Sequence, residues 1–226
     1  MNCPAATAIA APVPSRSACA LSPRKRSSSW PRRDSRRRLV SESGLLRSVY
    51  RWRVRTAFFA FLLVLVLAEP TAVSIGIGVL ISLAGLAVRA WASGHLRKDK
   101  SLAVSGPYRY TRNPLYLGNL ILGVSLSVGS HSPWVGTIFT VYFLVFYPAI
   151  IHVERERMKK LFPGEYDEYR RFVPLFFPFR RPWRGKGAPF SWELYGRNRE
   201  HRALIGTAVF WLVMAAKLLL HLPSPL

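Results

Sequence analysis

Two short stretches of the chain carry side chains whose types and spacing could do chemistry. The first is 106–118, GPYRYTRNPLYLG. Asn113 is a good helix N-cap and Pro114 suits the first helical position, so a helix should begin here with a turn of unpaired backbone amides. Such a terminus attracts anionic groups, a carboxylate included. Tyr108, Tyr110 and Tyr116 offer electron-rich faces beside it, suited to a cation or an adenine ring. Arg109 and Arg112 could stabilise an anionic group there or sit among lipid headgroups. Tyrosine beside arginine is also ordinary anchoring at a membrane interface, and the residues alone leave both readings open.

The second stretch is 152–174, HVERERMKKLFPGEYDEYRRFVP. Glu154 follows directly on an apolar run, which places a carboxylate near the end of a span. Phe162, Tyr166, Tyr169 and Val173 recur at intervals of four, three and four, giving a short helix one apolar face. Pro174 discourages the helix from continuing through Val173. By pattern this is an amphipathic helix lying on a membrane, with Lys159, Lys160, Arg170 and Arg171 near lipid phosphates. Several soluble-enzyme signatures are missing: there is no HExxH, no CxxC and no glycine fingerprint between a strand and a helix. His95, His131, His152, His201 and His221 are scattered without ligand spacing, which argues against a metal site.

The elements that must position these residues are apolar helices. The 226 residues, enough for one modest domain, hold 33 Lys+Arg against 11 Asp+Glu, yet 50% are hydrophobic. On a soluble protein a formal charge of +22 would suggest a nucleic-acid partner. Here charge alternates along the chain with apolar blocks, as membrane loops alternate with spans, so a bilayer and no nucleic acid is expected. Apolar runs cover 56–68, 71–88, 115–128, 134–151 and 203–220. The first reaches spanning length only if the 50–55 flank contributes with snorkelling arginines, and the third is short. Glu69-Pro70 and the 129–133 segment make turns, while Gly76, Gly78 and Gly85 suit close helix contact. The expected fold is an all-α integral membrane helical bundle of about five transmembrane helices.

Thirteen Lys/Arg lie in 1–55, six in 89–112 and thirteen in 152–202, with none in the two turns. The positive-inside rule therefore places the N-terminus and both long loops in the cytoplasm and the C-terminus on the opposite side. Residues 1–45 form a basic tail unable to bury a core, expected to be disordered, and compatible with a transit peptide or a misplaced start. Both cysteines, Cys3 and Cys19, fall there, offering no disulfide framework and no metal-ligand spacing.

Taken together and in order, KSLAVSGPYRYTRNPLYLG at 100–118 and E-x10-EYDEYRRFVP from Glu154 resemble the isoprenylcysteine carboxyl methyltransferase family and its phospholipid-methyltransferase relatives. The resemblance covers about residues 89–178, within a membrane domain expected over 46–226. The 190–222 segment is similar to the extra C-terminal span of some bacterial members, with the span itself at 203–222. What the resemblance implies is a cytoplasmic site between loops for S-adenosyl-L-methionine. Carried over by position, the contacts are Lys100, Ser101, Leu102 and Ala103 in a loop stretch, then aromatic Tyr108. They continue with Asn113-Pro114-Leu115-Tyr116 in place of the family's His/Asn-Pro-x-Tyr segment, acidic Glu154, and His95 as a polar contact upstream. Two departures stand out: Arg155 separates Glu154 from Glu156, and Ile150 stands where the eukaryotic enzymes bind the substrate carboxylate with arginine. The latter speaks against prenylcysteine as the substrate.

The implied reaction is methyl transfer by in-line displacement to a lipid or small lipophilic acceptor, a carboxylate or an amine, with no obligate protein partner evident and no catalytic residue assigned. Two other readings predict different behaviour. Sterol reductases resemble this family in their C-terminal region and use NADPH, though they usually carry more spans. A non-enzymatic membrane protein binding anionic lipid or nucleic acid would be indifferent to Glu154→Ala and Tyr116→Ala.

Overall fold

The computed structural model describes residues 44–98, 100–177, 182–185 and 187–220. Every regular element among them is helical: α1 (Gly44–Leu67), α2 (Ala72–His95), a 3₁₀ turn (Gly106–Arg109), α3 (Pro114–Gly129), α4 (Pro133–Leu161), α5 (Glu165–Phe172), α6 (Trp192–Arg197) and α7 (His201–Leu219). Residues 1–43, and with them nearly all of the basic tail, lie outside the described residues.

All five expected apolar helices are present. Three of them, α2, α4 and α7, are long and apolar enough to cross a membrane, whereas Arg55–Leu67 and Pro114–Gly129 are shorter apolar helices. With 16 residues α3 rises about 24 Å, less than the roughly 30 Å of a hydrocarbon core. The 50–55 flank is helical, and the helix begins earlier still, at Gly44, giving α1 24 residues. By contrast α4 runs 29 residues, about 43 Å, so its charged last turns continue the helix beyond bilayer thickness.

The bundle has two unlike ends. At one, short turns join α1 to α2 and α3 to α4, and the Glu69 amide donates to the Ser130 carbonyl at 2.8 Å across them. Thr71 and Ser74 cap the start of α2 reciprocally, each backbone N–H donating to the other's hydroxyl. Lys217, the one cation in α7's apolar run, donates to the carbonyls of Leu65 and Val66 at the end of α1. A half-buried ammonium thereby meets orphan helix-end acceptors. The opposite end gathers the 96–113 loop, the end of α4, α5 and α6.

Within lipid, association rests on close fit and interhelical hydrogen bonds rather than on escape from water. The α2–α3 seam is built that way. A Cβ on Gly85 would come within 3.2 Å of the Gly118 carbonyl, and one on Gly78 within 3.0 Å of the Gly129 Cα. The Ser74 hydroxyl donates to the Gly129 carbonyl at 3.0 Å in the same seam. Gly76 faces open space, so its expected packing role does not hold. α7 adds Phe210, Trp211 and Met214 to a core shared with Val64, Leu67 and Val135, and the Trp211 indole donates to Ser82 Oγ at 3.1 Å. Outward, Phe59, Val73, Leu80, Leu144 and Leu212 are each at least two-thirds exposed or nearly so, the apolar face that lipid requires.

Candidate functional site

The site end is organised by a sharp turn at Gly106, whose φ of +57° suits glycine. A Cβ there would meet the His95 ring at 2.6 Å, so backbone and ring lie in direct contact. His95 is buried, its Nδ1 2.9 Å from the Trp91 carbonyl and its ring edge-on to Phe190. This packing takes His95 out of the loop region where a cofactor contact was expected.

The 3₁₀ turn then directs Tyr108 inward, where it is buried. Its carbonyl accepts a 2.6 Å hydrogen bond from the Tyr169 hydroxyl on α5. Three further bonds fasten residues 111–113 to the 174–175 segment. The Arg112 amide donates to the Pro174 carbonyl at 3.0 Å, and Thr111 Oγ1 and Asn113 Nδ2 both donate to the Leu175 carbonyl. Asn113 does occupy the N-cap position of α3 with Pro114 following, but its side chain makes no cap hydrogen bond. The amide group is committed to Leu175 instead, because closing the two motif stretches against each other takes both side chains.

α5 does not present its apolar face to a membrane. Tyr166, Tyr169 and Val173 are buried against Leu102, Val104, Met158, Phe162 and Trp183. Gly164, with φ of +84°, makes the bend between α4 and α5 that permits this return. Burial raises the phenol pKa of Tyr108 and of Tyr169 above the ordinary value; for Tyr169 the positive charge of Arg112 partly opposes the rise.

Between these parts lies a cavity of about 390 Å³. Ser101, Leu102, Ala103, Tyr108, Asn113, Pro114, Leu115, Tyr116 and Glu154 all line it. Lys100 does not; it is exposed, its amide closing a turn onto the Arg97 carbonyl. Tyr110 is exposed against Trp91, and Arg109 reaches toward the Gly185 carbonyl, so neither reaches the cavity. Residues singled out for other reasons or not at all complete the wall: Arg97, Lys98, Arg112, Arg155, Arg157, Met158, Phe162, Tyr166 and Tyr169. Met158 lies one turn beyond Glu154, so helical spacing points to it once Glu154 is fixed.

A second cavity of about 430 Å³ adjoins the first, sharing Ile151, Arg155 and Leu175. Its remaining wall is largely apolar and aromatic, from Leu120 on α3, Phe143, Leu144, Tyr147 and Pro148 on α4, and Phe176 and Phe177. His152 and Arg155 are its polar residues. Tyr116 and Tyr147 meet edge to face at 5.6 Å, so an aromatic pair links the two cavities.

Residues 60–165 match a family model described as phospholipid methyltransferase. Over 109 residues the chain is 34% identical to the cobalt-zinc-cadmium resistance protein CzcN of Cupriavidus metallidurans, covering 47% of this chain and 49% of that one. Over 92 residues it is 36% identical to the nickel-cobalt-cadmium resistance protein NccN of Alcaligenes xylosoxydans xylosoxydans, covering 40% and 43%. The chain thus spans about half the length of these curated relatives or less. No solved structure matches it. The match to the phospholipid methyltransferase model takes in α2, α3, α4, the whole 100–118 stretch and Glu154, and covers just under half of the chain.

Proposed function

We propose that this protein is an S-adenosylmethionine-dependent membrane methyltransferase acting on a lipid or small lipophilic acceptor. The observation that carries the reading is convergence. Ser101, Leu102, Ala103, Tyr108, Asn113, Pro114, Leu115 and Tyr116, and Glu154 far from them in sequence, line one cavity that opens beside an apolar one. The cavity's volume is in the range of small-molecule sites, and its donor set suits the cofactor. Glu154 offers a carboxylate to an ammonium or ribose hydroxyls, and tyrosines offer faces to an adenine ring or a sulfonium.

Bound there, S-adenosylmethionine supplies a methyl group that leaves a neutral thioether when a nucleophile attacks in line. The chain's part is to hold the reactants in register and keep water out, and both follow from a stapled, aromatic-walled cavity. The adjoining apolar cavity gives the acceptor's lipophilic body a place, with Arg155 and His152 toward its head. Tyr108 and Tyr169 stay protonated at neutral pH because burial raises their pKa, so neither serves as a general base. A carboxylate acceptor needs none. In a bilayer the charge distribution puts this end of the bundle, the N-terminus and the long loops in the cytoplasm and the C-terminus opposite.

The relatives' names speak of metal resistance. Among the described residues no three His, Cys, Asp or Glu side chains come together, and the reading rests on the cavity alone. The test is transfer of labelled methyl from S-adenosylmethionine into lipid extracts by the purified protein in nanodiscs. The expected result is label in the organic phase, reduced at least about tenfold by Glu154→Ala. Nicotinamide-dependent turnover without methyl transfer would contradict it and favour a reductase.

A further inference from the structure

The two cavities share Ile151, Arg155 and Leu175, and of these only Arg155 is charged. One stripe of α4 leads to it. Leu144, Pro148, Ile151 and Arg155 follow one another at intervals of four, three and four, so they share a helix face, and all four line the second cavity. From Leu144 to Arg155 the helix rises about 16 Å. The second cavity thus has the outline of an amphiphile, with an apolar body beside α4 and a head at Arg155.

Charge at the head end is one-sided. Among the described residues no Asp or Glu lines the second cavity, and the acid in the wall of the first is Glu154. His152, the other polar residue of the second cavity, carries no negative charge in either protonation state. Arg155 is not neutralised by its neighbour. Its Nε lies 3.7 Å from Glu156 Oε1, beyond hydrogen-bond reach, and that carboxylate already accepts from Lys159 at 2.8 Å.

We propose that Arg155 is the specificity-determining residue of the second cavity, reading head-group charge so that an anionic head is admitted and the ammonium of an amine acceptor is turned away. This rests on the methyltransferase reading and narrows its acceptor. An aliphatic amine arrives as a cation at neutral pH, so at the junction it meets a like charge with no carboxylate in the second cavity's wall. Such repulsion discriminates between ligands as effectively as attraction does. The Arg155 side chain is 43% exposed, so water screens it. Attraction of the anion and repulsion of the cation together amount to about tenfold.

The test is calorimetric binding of octyl phosphate, octanol and octylammonium to the protein in nanodiscs of zwitterionic lipid, with empty discs as the blank. Wild type is expected to bind the phosphate about tenfold more tightly than the ammonium. Arg155→Met should erase most of that ratio and Arg155→Glu should invert it. Octanol, which reports the apolar wall, should bind all three proteins alike. Arg202→Met removes an exposed cation outside both cavities and should keep the wild-type ratio. A ratio unchanged in Arg155→Met, or one that falls as far in Arg202→Met, would overturn the proposal. So would an equal fall for all three probes, because that reports a disturbed wall. S-adenosylmethionine is titrated into the same preparations. Wild-type binding of it without any ranking of the three probes removes this inference and leaves the methyltransferase reading standing. A wild type that binds no S-adenosylmethionine removes both.

Discussion

At the scale of residues, the site depends on side chains that close one stretch of sequence onto another. The Tyr169 hydroxyl on the Tyr108 carbonyl is the shortest such bond, between two buried groups. Tyr169→Phe leaves that carbonyl buried without a donor and should cost about 1–3 kcal/mol, read as a lower melting temperature in detergent. Both phenols have pKa values raised by burial, so the folded state favours their neutral forms. This contribution is fully present below the ordinary tyrosine value of 10.0 and is lost as the pH climbs beyond it, where the unfolded chain ionises first. A phenolate absorbance titration should accordingly show tyrosines that lag the exposed ones, and Tyr169→Phe should remove one of them. Most of the positions that the resemblance names do line one cavity, because a motif names positions. His95 and Lys100 do not line it; for His95 the reason is packing against Gly106 and Phe190, which no local pattern records. Arg112 was in view, but its place in the cavity wall depends on how residues 111–113 close onto 174–175.

At the scale of elements, hydropathy located every long helix, since an apolar run of spanning length has few other uses. It failed where composition changes while hydrogen bonding continues. Residues 152–161 look like the start of a loop, yet α4 carries through them and holds Glu154 on a rigid rod. α5 was read correctly as amphipathic and wrongly as membrane-bound, because its apolar face finds partners on its own chain. α6 was not foreseen. Ser191 Oγ caps it by accepting from the Leu194 amide, while the Asn198 side chain reaches about a hundred residues back, its amide donating to the Ser93 and Leu96 carbonyls at 2.9 and 3.0 Å. Those carbonyls end α2 just where the cavity wall begins at Leu96. Asn198→Ala should destabilise the fold by about 1–3 kcal/mol and weaken cofactor affinity, whereas Asn198→Gln should recover part of both if its amide reaches the same acceptors. A melting shift with unchanged affinity would show that α6 only braces the bundle.

At the scale of the whole molecule, the C-terminal helix is locked to α2 and α3 by a polar junction. Arg89 on α2 pairs with Glu200 at 2.5 Å and also donates to Asn119 on α3, with Glu200 almost fully buried. The family match ends at residue 165, so this junction joins matched and unmatched parts of the chain. Glu200→Ala strands a largely buried guanidinium and should cost about 3–5 kcal/mol, and the double variant with Arg89→Leu should cost less than Glu200→Ala alone. A double variant whose cost in thermal unfolding equals the sum of the two single variants would mean that the pair contributes no coupling. Charge counts foretold the alternation of loops and spans but not this pairing, because the partners lie 111 positions apart.

The most direct test of the central claim is calorimetric binding of S-adenosylmethionine to the purified protein, with Glu154→Ala and Tyr116→Ala alongside. Saturable binding by the wild type, weakened at least about tenfold in both folded variants, is the predicted result. A well-folded wild type that binds no S-adenosylmethionine would contradict the account.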